Sequence, residues 1–373
     1  MERLGVILEP RNNQWENLAV LNCGAAPLGT TSEVALLYRG VEGVAKGEFR
    51  SCIGLAVFDL KKEKVVFRSE NPVIEPQDGQ TGCEDPRVVR ISDTFVVTYT
   101  GVWYRGKERW KVRPFSTQTS DFKSFTTGQQ LLQHADKNAA LFPEKTAGRY
   151  CLLHRPCSPK PPSVYLSFSD QIDNFPTGSK LFGPKYPWES ARVGIGPPPI
   201  KTDKGWLLIY HGANKADKTR DRKTTDPGNV YRLGTMLLDH RDLRKILKRC
   251  PNPILEPTED YEKRGWMPNV VFSCGAVDYN SCVYTFYGAA DQCIGCVKYT
   301  KKELFEQNNL IKRIGLPTKM QKLNANKLIN TLKKDKKVVG GKIEFVLLER
   351  IGKAAYGVNV SDKIIREAIE QSR

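Results

Sequence analysis

Two adjacent carboxylates stand out as groups that could do acid–base chemistry. Glu84 and Asp85 lie in the string GCEDPR, at the start of an apolar run. A buried carboxylic acid beside an apolar rim can keep its proton near neutral pH and give it to a leaving oxygen. An Asp at this place can equally fix a turn at the start of a strand. The pair alone leaves both interpretations open.

A second set of residues is cationic or carries an amide, and could hold an anion. Lys and Arg side chains that converge on one small volume are costly to bury unless an anion fills that volume. Single Lys or Arg side chains, in contrast, usually extend to solvent. The candidates occur in the strings DKNAALFPEK, LLHRP, PPPIKT and IYHG, and are Lys137, Asn138, Arg155, Lys201 and His211.

A third set is of the type that binds sugars, which present both a CH-rich face and hydroxyl groups. Flat aromatic faces and bidentate hydrogen-bonding groups suit that mixture. Aromatic residues within strands more often belong to the core, so only those at strand ends are favoured. The set consists of Arg39, Tyr99, Trp188, Tyr210, Tyr231 and Asp291.

A five-fold repeat over about the first 300 residues predicts how these side chains are positioned. Each copy alternates apolar and polar residues and is rich in β-branched and aromatic types, which is typical of a strand. The spacing is that of four-stranded units, which take about 40 to 60 residues each. The copies are VALLYRG, FVVTYTG, YCLLHRP, WLLIYHG and VYTFYGA, with Tyr38, Tyr99, His154, Tyr210 and Tyr287 at the equivalent position. We therefore predict an all-β fold, a five-bladed β-propeller whose inner strand ends converge on one pocket.

Composition limits the classes of function. The net charge of +17 would ordinarily suggest a nucleic-acid partner, but more than half of the excess lies after residue 300 and no basic–aromatic stripe accompanies the rest. No apolar run approaches the length of about 18 residues that crosses a bilayer, and the start MERLGVILEP lacks the apolar segment of a signal peptide. Ten cysteines without paired zinc spacing are expected to be reduced thiols. We expect a cytoplasmic protein with no nucleic-acid partner, no membrane association and no metal.

These strings resemble the mannoside phosphorylases of glycoside hydrolase family 130 over about residues 5–300. The resemblance implies a five-bladed propeller and inverting phosphorolysis of β-1,2- or β-1,4-linked manno-oligosaccharides, which releases α-mannose 1-phosphate. It implies inorganic phosphate as co-substrate with no further cofactor, and it allows a homo-oligomer. The motifs that carry it, in order, are GCEDPR, NAALFPEK, LLHRP, VGIGPPPIKTDKGWLLIYHG, YRLGTMLLD, NPILEP, PNVVF and YGAAD.

The resemblance also implies roles for single residues. The catalytic acid of the family falls on Asp85, while Arg39 and Asp291 match positions that hold the sugar, and Glu84 is assigned with them. Many relatives carry Arg where this chain has Lys137, and Lys cannot make the same bidentate clamp on phosphate. The implied phosphate-binding residues are Lys137, Asn138, Arg155, Lys201, His211 and Tyr231.

Two alternative functions stay open from the sequence. An inverting β-mannoside hydrolase on the same fold needs a second carboxylate about 6.5 to 9.5 Å from the acid to activate water. A phosphorylase does not, because phosphate is already an anionic nucleophile and needs cations to hold it. The other alternative is a non-catalytic sugar-binding propeller fused to a further fragment. The joint presence of the acid and the cationic positions speaks against it.

The chain changes character near its end, from short strands to helical periodicity. We predict a β-propeller domain over residues 1–302 and a mainly helical segment over residues 303–373. Within that segment, KIEFVLLE is predicted as a strand and VSDKIIREAIEQ as a final helix with Ser361 as its N-cap.

This segment resembles the C-terminal end of 3-dehydroquinate synthase over about residues 310–373, through GLPT, DKKVVGGKIEFVLLERIGKA and VSDKIIREAI. The resemblance implies that Lys336 or Lys337 contacts the substrate of that enzyme. The chain has neither its nucleotide-binding domain nor its His and Glu metal set, so NAD-dependent synthase activity is not expected. A fusion, a remnant and a gene-modelling artefact are all open as explanations.

Overall fold

The structure is a computed structural model, and it describes residues 1–44, 49–77, 79–105, 108–215, 229–306, 325–332, 338–339, 342–350 and 353–371. The chain divides into two compact units, Met1–Phe305 and Glu306–Arg373. In the part that the structure describes, no helix has the length and apolar character needed to cross a membrane. All ten cysteines are free thiols.

The first unit is mostly β-sheet, which confirms the all-β class. Its strands form five antiparallel meanders, A to E, in each of which neighbouring strands are hydrogen-bonded. Meander A is β2 (Ala19–Pro27), β3 (Glu33–Gly43), β4 (Phe49–Asp59) and β5 (Lys64–Arg68); meander B is β6 (Gly82–Ile91), β7 (Thr94–Arg105), β8 (Glu108–Thr119) and β9 (Gln129–Gln130). Meander C is β10 (Asp136–Leu141), β11 (Tyr150–Pro156), β12 (Val164–Ser169) and β13 (Ser179–Phe182). A single parallel bridge between Ser51 and Gly82 joins meanders A and B.

The last two meanders include the strand at the start of the chain. Strand β1 (Glu2–Leu8) pairs antiparallel with β21 (Cys293–Thr300), with Glu2 opposite Lys298, so the N-terminal strand completes meander E. Meander D is β14 (Arg192–Ile195), β15 (Ile200–Thr202), β16 (Gly205–Lys215), β17 (Asn229–Leu238) and β18 (Ile246–Arg249). Meander E is β19 (Val271–Tyr279), β20 (Cys282–Ala289), β21 (Cys293–Thr300) and β1 (Glu2–Leu8). Short helical turns at Gln14–Glu16, Pro187–Glu189 and Asp260–Lys263, and a helix at Lys301–Glu306, complete the unit.

Five clusters of buried apolar side chains hold the meanders together, and each cluster draws on two of them. Phe58 of β4 and Phe286 of β20 meet edge to face with ring centroids 5.3 Å apart, so meanders A and E share a core. Meanders A and B, B and C, C and D, and D and E share cores in the same way. Representative members of these four cores are Leu37 and Val97, Val96 and Leu152, Leu153 and Leu208, and Leu233 and Val283.

A repeated hydrogen-bonded triad explains part of the sequence repeat. In three meanders a fully buried Glu from a short helical turn accepts hydrogen bonds from the repeat Tyr and from an Arg, at 2.5 to 3.0 Å. A buried carboxylate is tolerated only when it is paired in this way. The triads are Tyr38–Glu16–Arg68, Tyr210–Glu189–Arg249 and Tyr287–Glu262–Arg3. The repeated Tyr residues therefore serve the core.

The second unit contains strands and helices in similar measure among its described residues, where a mainly helical segment was predicted. The predicted strand is present as β23 (Lys342–Arg350), and it pairs with β22 (Val338–Val339) and with an unpredicted strand, β24 (Lys353–Asn359). Helices Ala325–Leu332 and Asp362–Gln371 pack through Ile329, Ile365 and Ile369. The Ser361 hydroxyl accepts a hydrogen bond from the Ile364 N–H at 3.4 Å, as expected of an N-cap. Lys336 and Lys337 lie outside the described residues.

Candidate active site

Three β-bulges lie at equivalent points of strands β2, β6 and β10. From Glu84 to Arg87 strand β6 advances three residues while its partner β7 advances two. The bulges in β2 and β10 show the same one-residue excess. The residue within each bulge has left-handed backbone, with φ of +51° at Asn22, +55° at Asp85 and +56° at Asn138. Asn and Asp tolerate this conformation better than most residues that carry a side chain. Because a bulge redirects its side chain, three polar groups leave the alternating pattern of their strands at the same level.

Asp85 is held by hydrogen bonds from two directions. The residue is 8% exposed, and Oδ1 accepts a hydrogen bond from Asn22 Nδ2 at 2.8 Å. Arg39 Nη1 lies 3.7 Å from the same oxygen. Arg87, itself buried, donates to the Asp85 backbone carbonyl at 2.9 Å and, in meander D, to the carbonyls of Ile195 and Gly196. The bulge is thereby fixed from its side chain and from its backbone.

Glu84 is fully buried and is more heavily paired than its neighbour. Its Oε1 accepts hydrogen bonds from Arg39 Nη2 and from the Tyr104 hydroxyl, each at 2.9 Å. Its Oε2 lies 3.6 Å from Lys137 Nζ. Lys137 therefore links this carboxylate to the start of β10, where the second set of predicted residues begins.

Arg155 and His211 lie together on a second side of the site, which we call the cationic side. Arg155 lies opposite Lys137 in the β10–β11 register, and its Nη1 donates to His211 Nε2 at 3.2 Å. Because Nε2 accepts this hydrogen bond, the ring proton resides on Nδ1. That N–H is buried and has no partner among the described residues. Burial, together with the positive charge of Arg155, lowers the pKa of His211 well below its ordinary value, so the ring is neutral near pH 7.

Arg192 adds a second guanidinium to this side. It lies at the start of β14, and within the described chain its buried Nε has no hydrogen-bond partner. Desolvation lowers the pKa of Arg155, and the nearby charge of Arg192 lowers it further. The Oδ1 atom of Asn138 is likewise buried, with no partner in the residues that the structure describes. Cationic donors left unmatched in this way favour an anionic ligand, whereas the Asn138 oxygen is an acceptor and does not add to that preference.

Gly194 lets the His211 ring and the Asn138 amide pack directly against the backbone of β14. A Cβ at this position would lie 2.5 Å from His211 Nε2 and 2.8 Å from Asn138 Oδ1, closer than atoms approach without displacement. A side chain at Gly194 would therefore displace both of these groups.

Sequence comparison places the chain in a family. A family model described as beta-1,4-mannooligosaccharide phosphorylase, of glycoside hydrolase family 130, matches residues 77–310. The chain belongs to glycoside hydrolase family 130. It is 35% identical over 303 residues to a 1,2-beta-oligomannan phosphorylase of Thermoanaerobacter sp. (strain X514), covering 80% of this chain and 96% of that protein. It is 37% identical over 313 residues to a beta-1,2-mannobiose phosphorylase of the same organism, with the same coverage of each.

Solved structures agree with this family membership. The structure of the beta-1,2-mannobiose phosphorylase of Listeria innocua, in complex with beta-1,2-mannobiose, superimposes with a TM-score of 0.70 at 26% identity. The superposition covers 82% of this chain and 99% of the Listeria innocua chain. A separate match covers a small part of the chain, in which 65 residues are 38% identical to 3-dehydroquinate synthase of Prochlorococcus marinus (strain NATL1A). That match spans 17% of this chain and 18% of the synthase.

The structure brings together most of the residues predicted from the family-130 resemblance. Glu84, Asp85 and Arg39 form the carboxylate side, and Arg155 and His211 form the cationic side. Tyr231 joins the latter, because its ring centroid lies 6.0 Å from that of His211. Lys137 and Asn138 lie between the two sides, as the contacts above show. Asp291 lies in the turn between β20 and β21 with a φ of +49°, and its sugar-binding role stays a prediction.

Lys201 is not part of this cluster, and its prediction as a phosphate ligand is not supported by its position. It lies on β15 opposite Trp206, whereas His211 is five residues farther along β16, about 17 Å at the rise of a strand. Its side chain is 51% exposed and pairs with Glu144 at 2.5 Å. It faces a separate open cavity of about 500 Å³ that His240 also lines.

Two aromatic candidates, Tyr99 and Tyr210, are buried in the core, and a third, Trp188, is half-buried and packs against it. Tyr99 is 2% exposed and stacks on Phe115 with ring centroids 5.7 Å apart. Tyr210 is the hydroxyl donor of the Glu189 triad. Trp188 stacks on Tyr210 at 5.7 Å, and its Nε1 donates to the Pro251 carbonyl. Their burial follows from their place inside strands and turns.

Asn22, Arg192 and Tyr104 were not predicted, although one signal was available for the first two. Alignment of the repeats on the bulge places Asn22 of LNCGAA beside Asp85 of EDPRVV and Asn138 of KNAALF. Arg192 begins the corresponding strand of meander D, in ARVGIGPPP. No local pattern marks Tyr104, which reaches Glu84 from the far end of β7.

Proposed function

We propose that this chain is an inverting, phosphate-dependent phosphorylase of β-linked manno-oligosaccharides that releases α-mannose 1-phosphate. The observation that carries the proposal is the cationic side of the site. Arg192 Nε and His211 Nδ1 are buried donors without a hydrogen-bond partner among the described residues, and Arg155 adds a guanidinium group beside His211. They lie next to the carboxylates Glu84 and Asp85, which are paired. Membership of family 130 supports the same reaction.

The residues divide the chemistry between them. The guanidinium groups of Arg155 and Arg192 and the Nδ1–H of His211 are suited to donate to phosphate oxygens, and the Asn138 amide can present its Nδ2. A phosphate oxygen then attacks the anomeric carbon as the bond to the glycosidic oxygen breaks. Asp85 supplies the proton that the leaving oxygen needs, directly or through a sugar hydroxyl. Attack on the face opposite the β-linked group gives the α-phosphate.

A hydrolase is the less suitable function for this geometry. An inverting hydrolase needs a carboxylate that is free to activate water, about 6.5 to 9.5 Å from the acid. Glu84 directly precedes the acid in the sequence, and Arg39, Tyr104 and Lys137 already engage both of its oxygens. The cations, which a hydrolase would not require, would remain buried without a partner.

We also propose that the first unit is a five-bladed propeller in which meanders A to E are the blades. The proposal is supported by the five shared cores, in which each meander packs on the preceding and the following one and meander E packs on A. The pairing of β1 with β21 would tie the last blade to the start of the chain. In a propeller the inner strands surround the axis, which would bring the three bulges to one central pocket.

The division into a phosphorylase domain over residues 1–302 and an appended segment over 303–373 remains a proposal, supported by the compact units Met1–Phe305 and Glu306–Arg373. The match of the C-terminal residues to 18% of a 3-dehydroquinate synthase supports a fused fragment without synthase activity. The cytoplasmic location and a homo-oligomeric state also remain predictions.

The synthetic direction of the reaction tests the proposed function and its linkage together. α-Mannose 1-phosphate is incubated with mannose, mannobiose, glucose or N-acetylglucosamine, and released phosphate and the new bond are measured. The β-1,2 bond is the first to examine, because the two relatives that match 80% of this chain are named for it. We expect phosphate release with a manno-configured acceptor. Absence of phosphate release with every acceptor would contradict the proposal.

A further inference from the structure

The buried carboxylate of Asp136 joins the two strand ends that carry the cationic side of the site. Asp136 is fully buried at the start of β10. Its Oδ1 accepts hydrogen bonds from the backbone N–H of Lys137 at 2.7 Å and of Arg155 at 3.0 Å. In the strand register Asp136 lies opposite Pro156, which has no N–H to offer to the ladder. One side-chain oxygen therefore holds both strands where their own pairing weakens.

The other carboxylate oxygen is bound by two histidines. His154 Nδ1 lies 2.6 Å from Asp136 Oδ2, and His134 Nε2 lies 3.0 Å from it. His154 Nε2 also contacts the Thr177 carbonyl at 2.9 Å, so the imidazole ring is fixed at both nitrogens. These contacts hold the carboxylate in one orientation, with Oδ1 directed at the two backbone amides.

Asp136, His134 and His154 are also of metal-ligating types, with ligand atoms within 4.8 Å of one another. The contact of 2.6 Å between His154 and Asp136 is the length of a hydrogen bond. Two ligands of a tetrahedral zinc, each about 2.0 to 2.2 Å from the metal, stand farther apart than that. Hydrogen bonds within the cluster account for its geometry, so we assign it a positioning role.

We propose that Asp136 is a positioning residue for the phosphate subsite, acting on Lys137 and Arg155 through their backbone amides. The inference rests on the proposed function. Arg155 reaches the site from a strand end, and a displacement of about 1 Å in a group that binds a reactant can cost about a hundredfold in rate. Loss of the Asp136 carboxylate would release both amides at once. The guanidinium would then meet phosphate in a less favourable position.

Glu189 offers a matched control. Like Asp136 it is fully buried, and it accepts four hydrogen bonds, from two backbone amides, the Tyr210 hydroxyl and Arg249. Its loss removes a buried carboxylate of the same kind from a triad that bonds to none of the site residues. Asp136→Asn is a second variant, since it keeps an oxygen for the two amides while it removes the charge.

The test is a set of phosphate saturation curves at fixed mannoside for the full-length wild type and for Asp136→Ala, Asp136→Asn and Glu189→Ala. We expect Asp136→Ala to raise the KM for phosphate at least about tenfold while the KM for the mannoside changes less than about threefold. Asp136→Asn should lie between the wild type and Asp136→Ala. Glu189→Ala should lower the thermal midpoint and leave the KM for phosphate unchanged.

The outcomes separate this inference from the proposed function. Wild-type turnover that does not depend on phosphate overturns both. If the wild type depends on phosphate but the KM for phosphate is unchanged in Asp136→Ala, the positioning role alone is overturned. A rise of the phosphate KM in Glu189→Ala equal to that in Asp136→Ala has the same consequence. If Asp136→Ala does not fold, the decision passes to Asp136→Asn. A rise in its phosphate KM of at least about threefold is then expected, and an unchanged value overturns the inference.

Discussion

The two sides of the candidate site differ in how far their charges are matched. On the carboxylate side, Asp85 and Glu84 accept hydrogen bonds from Asn22, Arg39 and Tyr104. On the cationic side, Arg192 Nε and His211 Nδ1 are buried with no partner in the described part of the chain. A paired buried charge is tolerated, whereas an unpaired one is costly. The carboxylates are thus paired by groups of the chain itself, whereas the buried donors of the cationic side are suited to an anion.

The contrast assigns a different consequence to a substitution on each side. A change to the acid should remove the chemical step and spare the binding of phosphate. A change to the cations should weaken phosphate binding and spare the acid.

Asp85→Asn should lower kcat by about 10² to 10⁴-fold, because the amide cannot supply the proton that the leaving oxygen needs. The amide oxygen can still accept the hydrogen bond from Asn22, so the thermal midpoint should change little. Steady-state kinetics with a β-mannobiose and a thermal melt measure the two quantities. Activity near that of the wild type would remove Asp85 from the role of acid.

Arg155→Gln and Arg192→Gln should each raise the KM for phosphate by about 10 to 100-fold, since a hydrogen bond to a charged group is worth about 1.5 to 3 kcal/mol. Phosphate saturation curves give the effect, and the KM for the mannoside serves as the internal control. An unchanged phosphate KM in both variants would show that the cationic side does not bind phosphate.

The stability of the protein should depend on pH through His211. Burial and the neighbouring Arg155 hold the pKa of His211 well below its ordinary value of about 6.5. Below pH 6.5 the unfolded chain takes up a proton that the folded one does not, so stability falls as the pH falls. The slope approaches about 1.4 kcal/mol per pH unit until the folded pKa is reached.

Thermal melts of the wild type and of His211→Gln between pH 7.5 and 5, in buffers without phosphate, measure this contribution. The wild type should lose stability more steeply than the variant below pH 6.5. Equal slopes in the two proteins would contradict the neutral, desolvated ring that the cationic side requires.

Lys201→Ala should have the smallest effect. Its pair with Glu144 is half-exposed, and such surface pairs contribute about 0 to 1 kcal/mol. The KM for phosphate and kcat should remain within about twofold of the wild type. A tenfold rise in the phosphate KM would show that Lys201 contributes to phosphate binding and that the site extends along β15.

The strands could be predicted from the sequence because their alternation is local. The repeat Tyr residues were recognised for the same reason, but their partners Glu16, Glu189 and Glu262 come from helical turns that carry no periodic signal. Pockets formed by several strands depend on register. Lys201 was predicted at the site because it lies in the family motif VGIGPPPIKTDKGWLLIYHG, whereas the register of β15 sets it opposite Trp206, five residues before His211.

The bulges show which residues of the site cannot be predicted from the local sequence. Asp85 and Asn138 were recognised through the family motifs around them. Asn22 has the same conformation at the same point of its strand, yet LNCGAA resembles no motif by itself. Its role becomes visible once the register shows that all three bulges are equivalent. Arg192 was missed because the evidence for its role is a buried Nε without a hydrogen-bond partner in the described structure. Burial and pairing of that atom cannot be read from the local sequence.

The most direct test of the central claim is the product formed from a β-linked mannobiose with and without inorganic phosphate. If the cationic side holds phosphate as the nucleophile, turnover follows the phosphate concentration and the product is α-mannose 1-phosphate. Release of free mannose at a rate that phosphate does not change would contradict the claim, because water would then be the nucleophile.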